Sequence, residues 1–211
     1  RVVFEDPQVH QLIKLSLAED IDSGDITSEL MVPEEHESSA AVTAREKLVV
    51  CGLPLLEQIF RVAAMPVKVE LDAGEGEEVE DGTVVARLSG RTRPLLSTER
   101  TLLNFLQKLC GIATHTRQFI QGLEGVLVLD TRKMTPGWRL LEKYAVRTGG
   151  ASNHRSSLAE MVLIKNNHID AAMTIQPPGR SLSDLLRDVE KNKPAGMPWE
   201  VEVRNIPELR E

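Results

Sequence analysis

The chain of 211 residues has few aromatic side chains, few cysteines and no long apolar run. Two Trp, one Tyr and four Phe are too few for a platform on which nucleic-acid bases stack. No segment approaches the roughly 20 apolar residues of a membrane-spanning helix, so a soluble protein is predicted. The two cysteines, Cys51 and Cys110, lie in apolar contexts without the spacing of a metal site. They favour buried, reduced thiols in a cytoplasmic protein over a structural disulfide.

The charges of the chain are unevenly distributed. The formal net charge is −7, but the segment from Asp130 to His168 holds seven Lys and Arg against three acids. That segment therefore carries +4 and the remainder −11. A compact basic island in an acidic protein favours a small anionic ligand over a polyanion, which requires an extended basic face.

The first half of the chain predicts a small α+β sandwich. The patterns predict a helix over 5–20, a loop over 20–28, a strand over 40–50, a helix over 53–64, short strands at 67–71, 78–79 and 83–88, and a long helix over 97–120. No helix directly follows the glycine turns between the short strands, so these turns do not favour phosphate binding. Arg100 in the long helix is interpreted, from sequence alone, as a solvated charge.

The second half alternates strands and helices, which is typical of parallel βα units. The apolar run GVLVL at 125–129 predicts a strand buried on both faces. Further strands are predicted at 161–164 and 201–203, a helix started by Thr135-Pro136 that ends at Gly149-Gly150, a helix over 183–191, and a mobile turn at 177–180. We therefore predict a sandwich domain over 1–112 and a second domain over 113–211.

Polar groups lie at or near the ends of three successive predicted strands, at the edge where α/β proteins bind ligands. Arg132 and Lys133 follow the first strand, Lys165 the second, and Glu202 lies at the third. Arginine offers a planar fork for carboxylate or phosphate, and lysine a compact charge. A glutamate among such cations could hold Mg²⁺ or a ribose hydroxyl. These residues predict a site for a ligand with several negative charges.

Two histidines in this region have equally simple structural interpretations. His154, next to Arg155 in the loop between two predicted strands, could be a loop hydrogen-bonding residue, and His168 a helix-capping residue. Nothing in the chain matches a nucleophile triad, a zinc site or a dinucleotide glycine fingerprint. The residues alone leave the roles of both histidines open.

Several longer segments resemble one enzyme family. They are STERTLLNFLQKLCGIAT at 97–114, DTRKMTPGWRLLEKYAV at 130–146, GGASNHR at 149–155, LIKNNHI at 163–169, AEDIDSGDITSELMVP at 18–33 and AREKLVVCGL at 44–53. Together they are similar, in family order and over nearly the whole chain, to quinolinate phosphoribosyltransferase, also called nicotinate-nucleotide pyrophosphorylase (carboxylating).

The resemblance implies an α/β fold with an N-terminal α+β sandwich followed by an incomplete, open α/β barrel. The family continues beyond the strand that contains Glu202, through an acidic strand and glycine-rich loops, so we expect this chain to be truncated at its C-terminus. The resemblance also implies a homodimer, or a higher assembly of dimers, in which active sites are shared. Neither nucleic acid nor membrane is expected as a partner.

The implied activity is that of a pentosyltransferase of NAD biosynthesis. Quinolinate and 5-phosphoribosyl-1-pyrophosphate would give nicotinate mononucleotide, CO₂ and pyrophosphate, with Mg²⁺ accompanying the donor and no organic cofactor. Two rivals stay open: a phosphoribosyltransferase that uses nicotinate, or a pathway-linked paralogue, and a non-catalytic anion-binding or regulatory fragment.

The resemblance assigns roles to seven residues of this sequence. Quinolinate recognition falls to Arg132, His154, Arg155 and Lys165, and to Arg100, which would reach the site of a neighbouring subunit. This role for Arg100 replaces its interpretation as a solvated charge. Lys133 and Glu202 would contact the donor, with Glu202 also near the metal. Lys133, Lys165 and Glu202 are the predicted catalytic residues.

Overall fold

A computed structural model describes residues 3–175 and 180–210 of the chain. The residues divide into two compact units, Arg1–His154 and Arg155–Glu211. Most of the turn predicted at 177–180 lies outside the described residues. Within the described ranges, no helix is long and apolar enough to cross a membrane.

The first unit contains five α-helices and two antiparallel sheets in its described part. A 3₁₀ turn at Val3–Glu5 precedes α1 (Pro7–Ile21), α2 (Ile26–Met31), β1 (Glu37–Thr43), β2 (Leu48–Val49), α3 (Pro54–Val62), β3 (Val67–Leu71), β4 (Glu78–Val79), β5 (Val84–Arg91), α4 (Thr92–Ile120) and α5 (Arg139–Gly149). The strands are ordered β1-β5-β3 in one sheet and β2-β4 in the other. This α+β arrangement is the one predicted for the N-terminal part.

One hydrophobic core joins these helices and sheets. Its fully buried side chains come from α1, α3, β5, α4 and α5, and include Ile13, Leu55, Ile59, Ala86, Phe105, Leu109 and Leu141. Cys51 lies in the same core, where its backbone N–H donates to the Sγ atom of Cys110 over 3.3 Å. Both thiols are free, as predicted. Burial raises the pKa of the Cys51 thiol, so it stays protonated.

Two predictions for the first 50 residues were wrong in detail. The stretch predicted as a loop over 20–28 contains the start of α2, because the Asp25 side chain accepts from the Ser28 N–H over 3.0 Å and caps the helix. The single strand predicted over 40–50 is two strands. The pairing of β1 with β5 is irregular at Val42/Thr43, and the chain bends at 45–47 before β2 begins.

The predicted buried strand at 125–129 was also wrong. The segment forms only a parallel bridge from Leu129 to Ser152, and Val126 and Leu127 are 61% and 71% exposed. An apolar run is buried on both faces only when neighbouring strands and helices cover it. Among the described residues, pairing is limited to this one bridge, so the run is open to solvent.

The predicted start of α5 at Thr135-Pro136 was wrong as well. The helix begins at Arg139, and its N-cap residue, Trp138, makes no side-chain capping bond. The N–H of Thr135 donates instead to the Glu142 carboxylate over 3.1 Å, and Gly137 turns the chain with a φ of 82°. The end of the helix is as predicted, because Gly150 adopts the left-handed conformation at the C-cap.

The second unit is a small parallel α/β structure. It contains β6 (Val162–Ile164), α6 (Asn166–Ile175), α7 (Leu182–Asn192), β7 (Trp199–Val201) and α8 (Ile206–Arg210). Strands β6 and β7 pair in parallel, with Ile164 opposite Val201. A local core formed by Ile164, Ile169 and Leu182 lies beneath them. The parallel pairing of the last two predicted strands is confirmed, although the second runs over Trp199–Val201 and not over 201–203. The described residues contain no closed barrel.

Candidate active site

A buried ion pair organises the loops of the first unit that carry three predicted site residues. The Lys143 ammonium donates to Asp130 Oδ1 over 2.5 Å, and both side chains are 4% exposed. Asp130 also accepts from the His154 backbone N–H over 2.9 Å and from Asn153 Nδ2 over 2.7 Å. The segment before Arg132 and the segment that ends in His154 are therefore held together by one carboxylate.

Arg132 and Lys133 follow directly on this anchor. Arg132 is half-buried, and its Nη1 atom is buried without a hydrogen-bonding partner among the residues that the structure describes. A buried guanidinium N–H without a partner is costly, so this atom is suited to an anionic ligand. Lys133 is exposed, and its backbone N–H donates to the Thr131 hydroxyl over 3.0 Å, which shapes the turn.

Arg100 lies on the exposed side of α4. Within residues 3–175 and 180–210 its guanidinium makes no hydrogen bond and no ion pair. An exposed guanidinium on a long, well-packed helix is available to a ligand or to another chain.

The second unit brings Lys165 and Glu202 to the same edge of its sheet. Ile164 and Val201 are register partners, so the residue after each strand is Lys165 on β6 and Glu202 on β7. The Glu202 N–H donates to the Ile164 carbonyl over 2.9 Å, which continues the pairing by one residue. Both side chains are exposed. The sequence-based expectation that these two residues share the carboxyl edge agrees with this register.

Arg155 and His168 have local partners in the second unit. Arg155 Nη1 donates to the Met161 carbonyl over 2.9 Å, which leaves its other N–H groups for a ligand. His168 Nδ1 accepts from the Lys165 N–H over 2.9 Å at the start of α6. His168 is therefore a helix-capping residue, which is the structural role that the sequence left open for it.

Two acids within the basic island form ion pairs. Lys143 is paired with Asp130, and Glu142 accepts an ion pair from Lys108 over 3.0 Å. Burial opposes ionisation of Glu142, but hydrogen bonds from Thr135 and Lys108 outweigh it and lower its pKa. The Lys143 charge is therefore paired inside the fold, whereas Arg132, Lys133, Arg155 and Lys165 form no ion pair among the described residues.

The sequence analysis missed the roles of Asp130, Lys143 and Asn153. Lysine is almost never fully buried unless it is paired. The position of Lys143 on a strongly amphipathic helix was therefore the available indication that it has an acidic partner. The pattern does not show which acid would pair with it, because Asp130 lies 13 residues away.

The residues offer little for a resident metal. Within the described ranges there is no group of three His, Cys, Asp or Glu side chains that could hold an ion. Glu202 alone does not form a metal site, although Mg²⁺ often binds through one or two carboxylates together with substrate phosphates.

A cavity of about 550 Å³ in the first unit lies away from these residues. The loop between β1 and β2 and one face of α4 line it, and none of the seven predicted site residues does. Its lining combines apolar side chains, among them Leu53, Val85 and Leu106, with those of Arg45, Lys47 and His115. This cavity is therefore distinct from the site residues predicted in the first unit.

Comparisons with known proteins all identify the same family. The family description "Quinolinate phosphoribosyl transferase, N-terminal domain" matches residues 25–110, and the corresponding C-terminal domain matches 112–211. The chain is 38% identical over 202 residues to quinolinate phosphoribosyltransferase [decarboxylating] 2b, mitochondrial, of Nicotiana tabacum, covering 95% of this chain and 56% of the relative. It is 40% identical over 197 residues to a probable nicotinate-nucleotide pyrophosphorylase [carboxylating] of Synechocystis sp., covering 92% and 64%.

A solved structure extends the likeness to the fold. NadC from Streptococcus pyogenes superposes with a TM-score of 0.85 at 33% identity, covering 94% of this chain and 70% of that one. The fold class predicted from sequence, α+β sandwich followed by an open α/β part, is confirmed by this likeness. The chain spans a little more than half the length of its curated plant relatives.

Proposed function

Because this chain belongs to the quinolinate phosphoribosyltransferase family, we propose that its protein transfers the phosphoribosyl group of 5-phosphoribosyl-1-pyrophosphate to quinolinate. The products are nicotinate mononucleotide, CO₂ and pyrophosphate, in the biosynthesis of NAD. The observation that carries the proposal is the partnerless, buried Nη1 atom of Arg132 beside exposed Lys133, on a loop anchored by Asp130.

The proposed recognition of quinolinate follows from its charge. Its two adjacent carboxylates need several cationic donors, and Arg132 and Arg155 offer bidentate forks. Lys165 adds a compact charge, and His154 adds a ring donor. Arg100 completes the set from a neighbouring subunit, and its exposure on α4 is compatible with that role. The proposed assembly is therefore a homodimer, or an assembly of dimers, with shared sites.

Lys133 and Glu202 are the proposed donor-binding residues. Lys133 supplies a positive charge for the phosphates, and the Glu202 carboxylate accepts from ribose hydroxyls or holds a hydrated Mg²⁺. When bound with the donor, Mg²⁺ neutralises charge on the pyrophosphate leaving group. No organic cofactor is proposed. We keep the cytoplasm as the proposed location.

The chemistry requires positioning more than a strong base. The pyridine nitrogen of quinolinate attacks the anomeric carbon of the ribose, and the bond to pyrophosphate breaks through an oxocarbenium-like state. Lys133, Lys165 and Glu202 stabilise the developing charges by fixed electrostatics. The neighbouring carboxylate then leaves as CO₂, because the positively charged ring nitrogen stabilises the electron pair that remains on carbon until it is protonated.

Steady-state assays of the complete protein with quinolinate and with nicotinate test the proposal. We expect nicotinate mononucleotide and CO₂ from quinolinate, and little product from nicotinate. A preference for nicotinate would assign the protein to the rival activity. Calorimetry that detects quinolinate binding, in a protein that forms no mononucleotide, would identify a non-catalytic anion-binding protein instead.

A further inference from the structure

The backbone of His154 is held on both sides by one buried ion pair. Its N–H donates to Asp130 Oδ1 over 2.9 Å, and its carbonyl accepts from Lys143 Nζ over 2.9 Å. The same ammonium and carboxylate bind each other. Both backbone polar groups of His154 are therefore bonded to a single ion pair, which restricts the displacement and rotation of this part of the chain.

The neighbouring residues extend this restraint. Asn153 Nδ2 donates to Asp130 Oδ2 over 2.7 Å and to the Lys143 carbonyl over 2.9 Å, so the loop is also tied to helix α5. The Asp130 N–H donates to the Ser152 carbonyl over 3.1 Å. Arg132 lies two residues after Asp130 and has no comparable anchor of its own among the described residues.

A buried ion pair is an expensive way to stabilise a fold. The desolvation of two charges often cancels their attraction, and apolar residues of similar size frequently stabilise a core as well or better. Here both charges also bond backbone groups of a loop with predicted ligand-binding residues. The geometry therefore favours a restraint on loop position over a contribution to stability alone.

We propose that Lys143 and Asp130 are positioning residues that hold His154 and Arg132 in the geometry that binds quinolinate. The inference rests on the proposed function for its substrate. Neither residue touches quinolinate, and their effect reaches the ligand through the two loops.

The test compares three variants of the complete protein. Lys143→Met removes the ammonium, Asp130→Asn/Lys143→Met leaves no unpaired buried charge, and Leu141→Ala weakens the core of the same helix without removing a polar contact. We expect the first two to raise the KM for quinolinate about 10-fold or more, because small displacements of binding groups are costly, with kcat changed far less. Leu141→Ala should leave KM near the wild-type value.

Hydrogen exchange at the His154 amide supplies a readout independent of catalysis. It should be faster in both Lys143 variants than in Leu141→Ala, once each is compared at equal global stability. Unchanged KM and unchanged exchange in the double variant would overturn the proposal, even if Lys143→Met alone fails to fold. A wild-type protein that makes no mononucleotide would refute the proposed function, while the exchange rates would still decide whether the ion pair restrains the loop.

Discussion

The hydroxyl of Tyr144 on α5 donates to Glu75 Oε2 over 2.6 Å. The Glu75 carboxylate also accepts hydrogen bonds from backbone N–H groups at the start of α3. Glu75 Oε1 accepts from the N–H groups of Gly52 and Leu53 over 2.9 and 2.7 Å. One carboxylate thus satisfies donors at a helix N-terminus and ties a second helix to it.

Tyr144→Phe should reduce the free energy of unfolding by about 1 to 2 kcal/mol at pH 8, because a hydrogen bond to a charged acceptor is lost. Burial, aided by the bond to Glu75, raises the pKa of Tyr144. Above about pH 10 an unfolded tyrosine releases a proton that the native one retains, so wild-type stability falls as pH rises. Tyr144→Phe should not lose stability in this way, because it has no phenol to ionise.

Urea unfolding of both proteins at pH 8, 10 and 11 provides the measurement. The difference in the free energy of unfolding between the wild type and Tyr144→Phe should become smaller as the pH rises. Cys51 and Cys110 also have raised pKa values, but they are common to both proteins and cancel in the difference. A constant difference across this range would show that the phenol is not held protonated by the fold.

Gly149→Ala should destabilise the first unit. A Cβ atom at this position would lie 2.6 Å from the carbonyl oxygen of Ala113 and 2.6 Å from Thr116 Cβ, so α4 and α5 would have to separate. The expected loss is about 1 to 3 kcal/mol, as for other overpacked sites. Gly111→Ala on α4 is the matched control, because a Cβ atom there would meet no neighbouring atom within 4 Å outside its own helix backbone.

Thermal and urea unfolding should show changes in the free energy of unfolding of opposite sign for the two glycine variants. Gly111→Ala should gain about 0.5 to 1 kcal/mol from the lower entropy of the unfolded chain. Equal stability of both variants would mean that α4 and α5 are not in close contact at Gly149.

Arg155→Ala should lose most activity through a raised KM for quinolinate. The loss of binding free energy should be roughly 2 to 4 kcal/mol if the substitution removes one partner of a buried charge pair. Arg155→Lys should recover only part of this, because lysine keeps the charge but not the planar fork. Steady-state kinetics with varied quinolinate checks both. A near-normal kcat/KM in the alanine variant would remove Arg155 from the binding residues.

Arg100→Ala and Lys165→Ala should each be inactive alone and regain activity when their subunits are mixed. In a mixed dimer one of the two sites would contain both an intact Arg100 and an intact Lys165. Statistical mixing would restore about a quarter of wild-type activity, since half the dimers are mixed and each has one intact site. Assays after denaturation and joint refolding provide the measurement, and the absence of any recovery would argue against a shared site.

Most of the helices, and the charged residues proposed for the site, could be predicted from the sequence. Apolar periodicity located α1, α3, α4 and α7 to within a few residues, since each must bury one face. Short apolar stretches predicted the parallel pair β6 and β7, although β7 ends at Val201, so that Glu202 follows the strand instead of lying within it. The family resemblance could likewise be identified from the sequence, because its motifs are contiguous segments of the chain.

Which charges are paired inside the protein, and which remain available to a ligand, depends on contacts between distant parts of the chain. Lys143 and Asp130 are 13 residues apart, and no local pattern shows that they meet, so the sequence counted both as part of a basic island. The exposure of Val126 and Leu127 and the late start of α5 at Arg139 also depend on distant partners, or on their absence among the described residues. Burial and ion pairing are properties of chain segments brought together by folding, whereas periodicity and motif spacing are properties of neighbours along the chain.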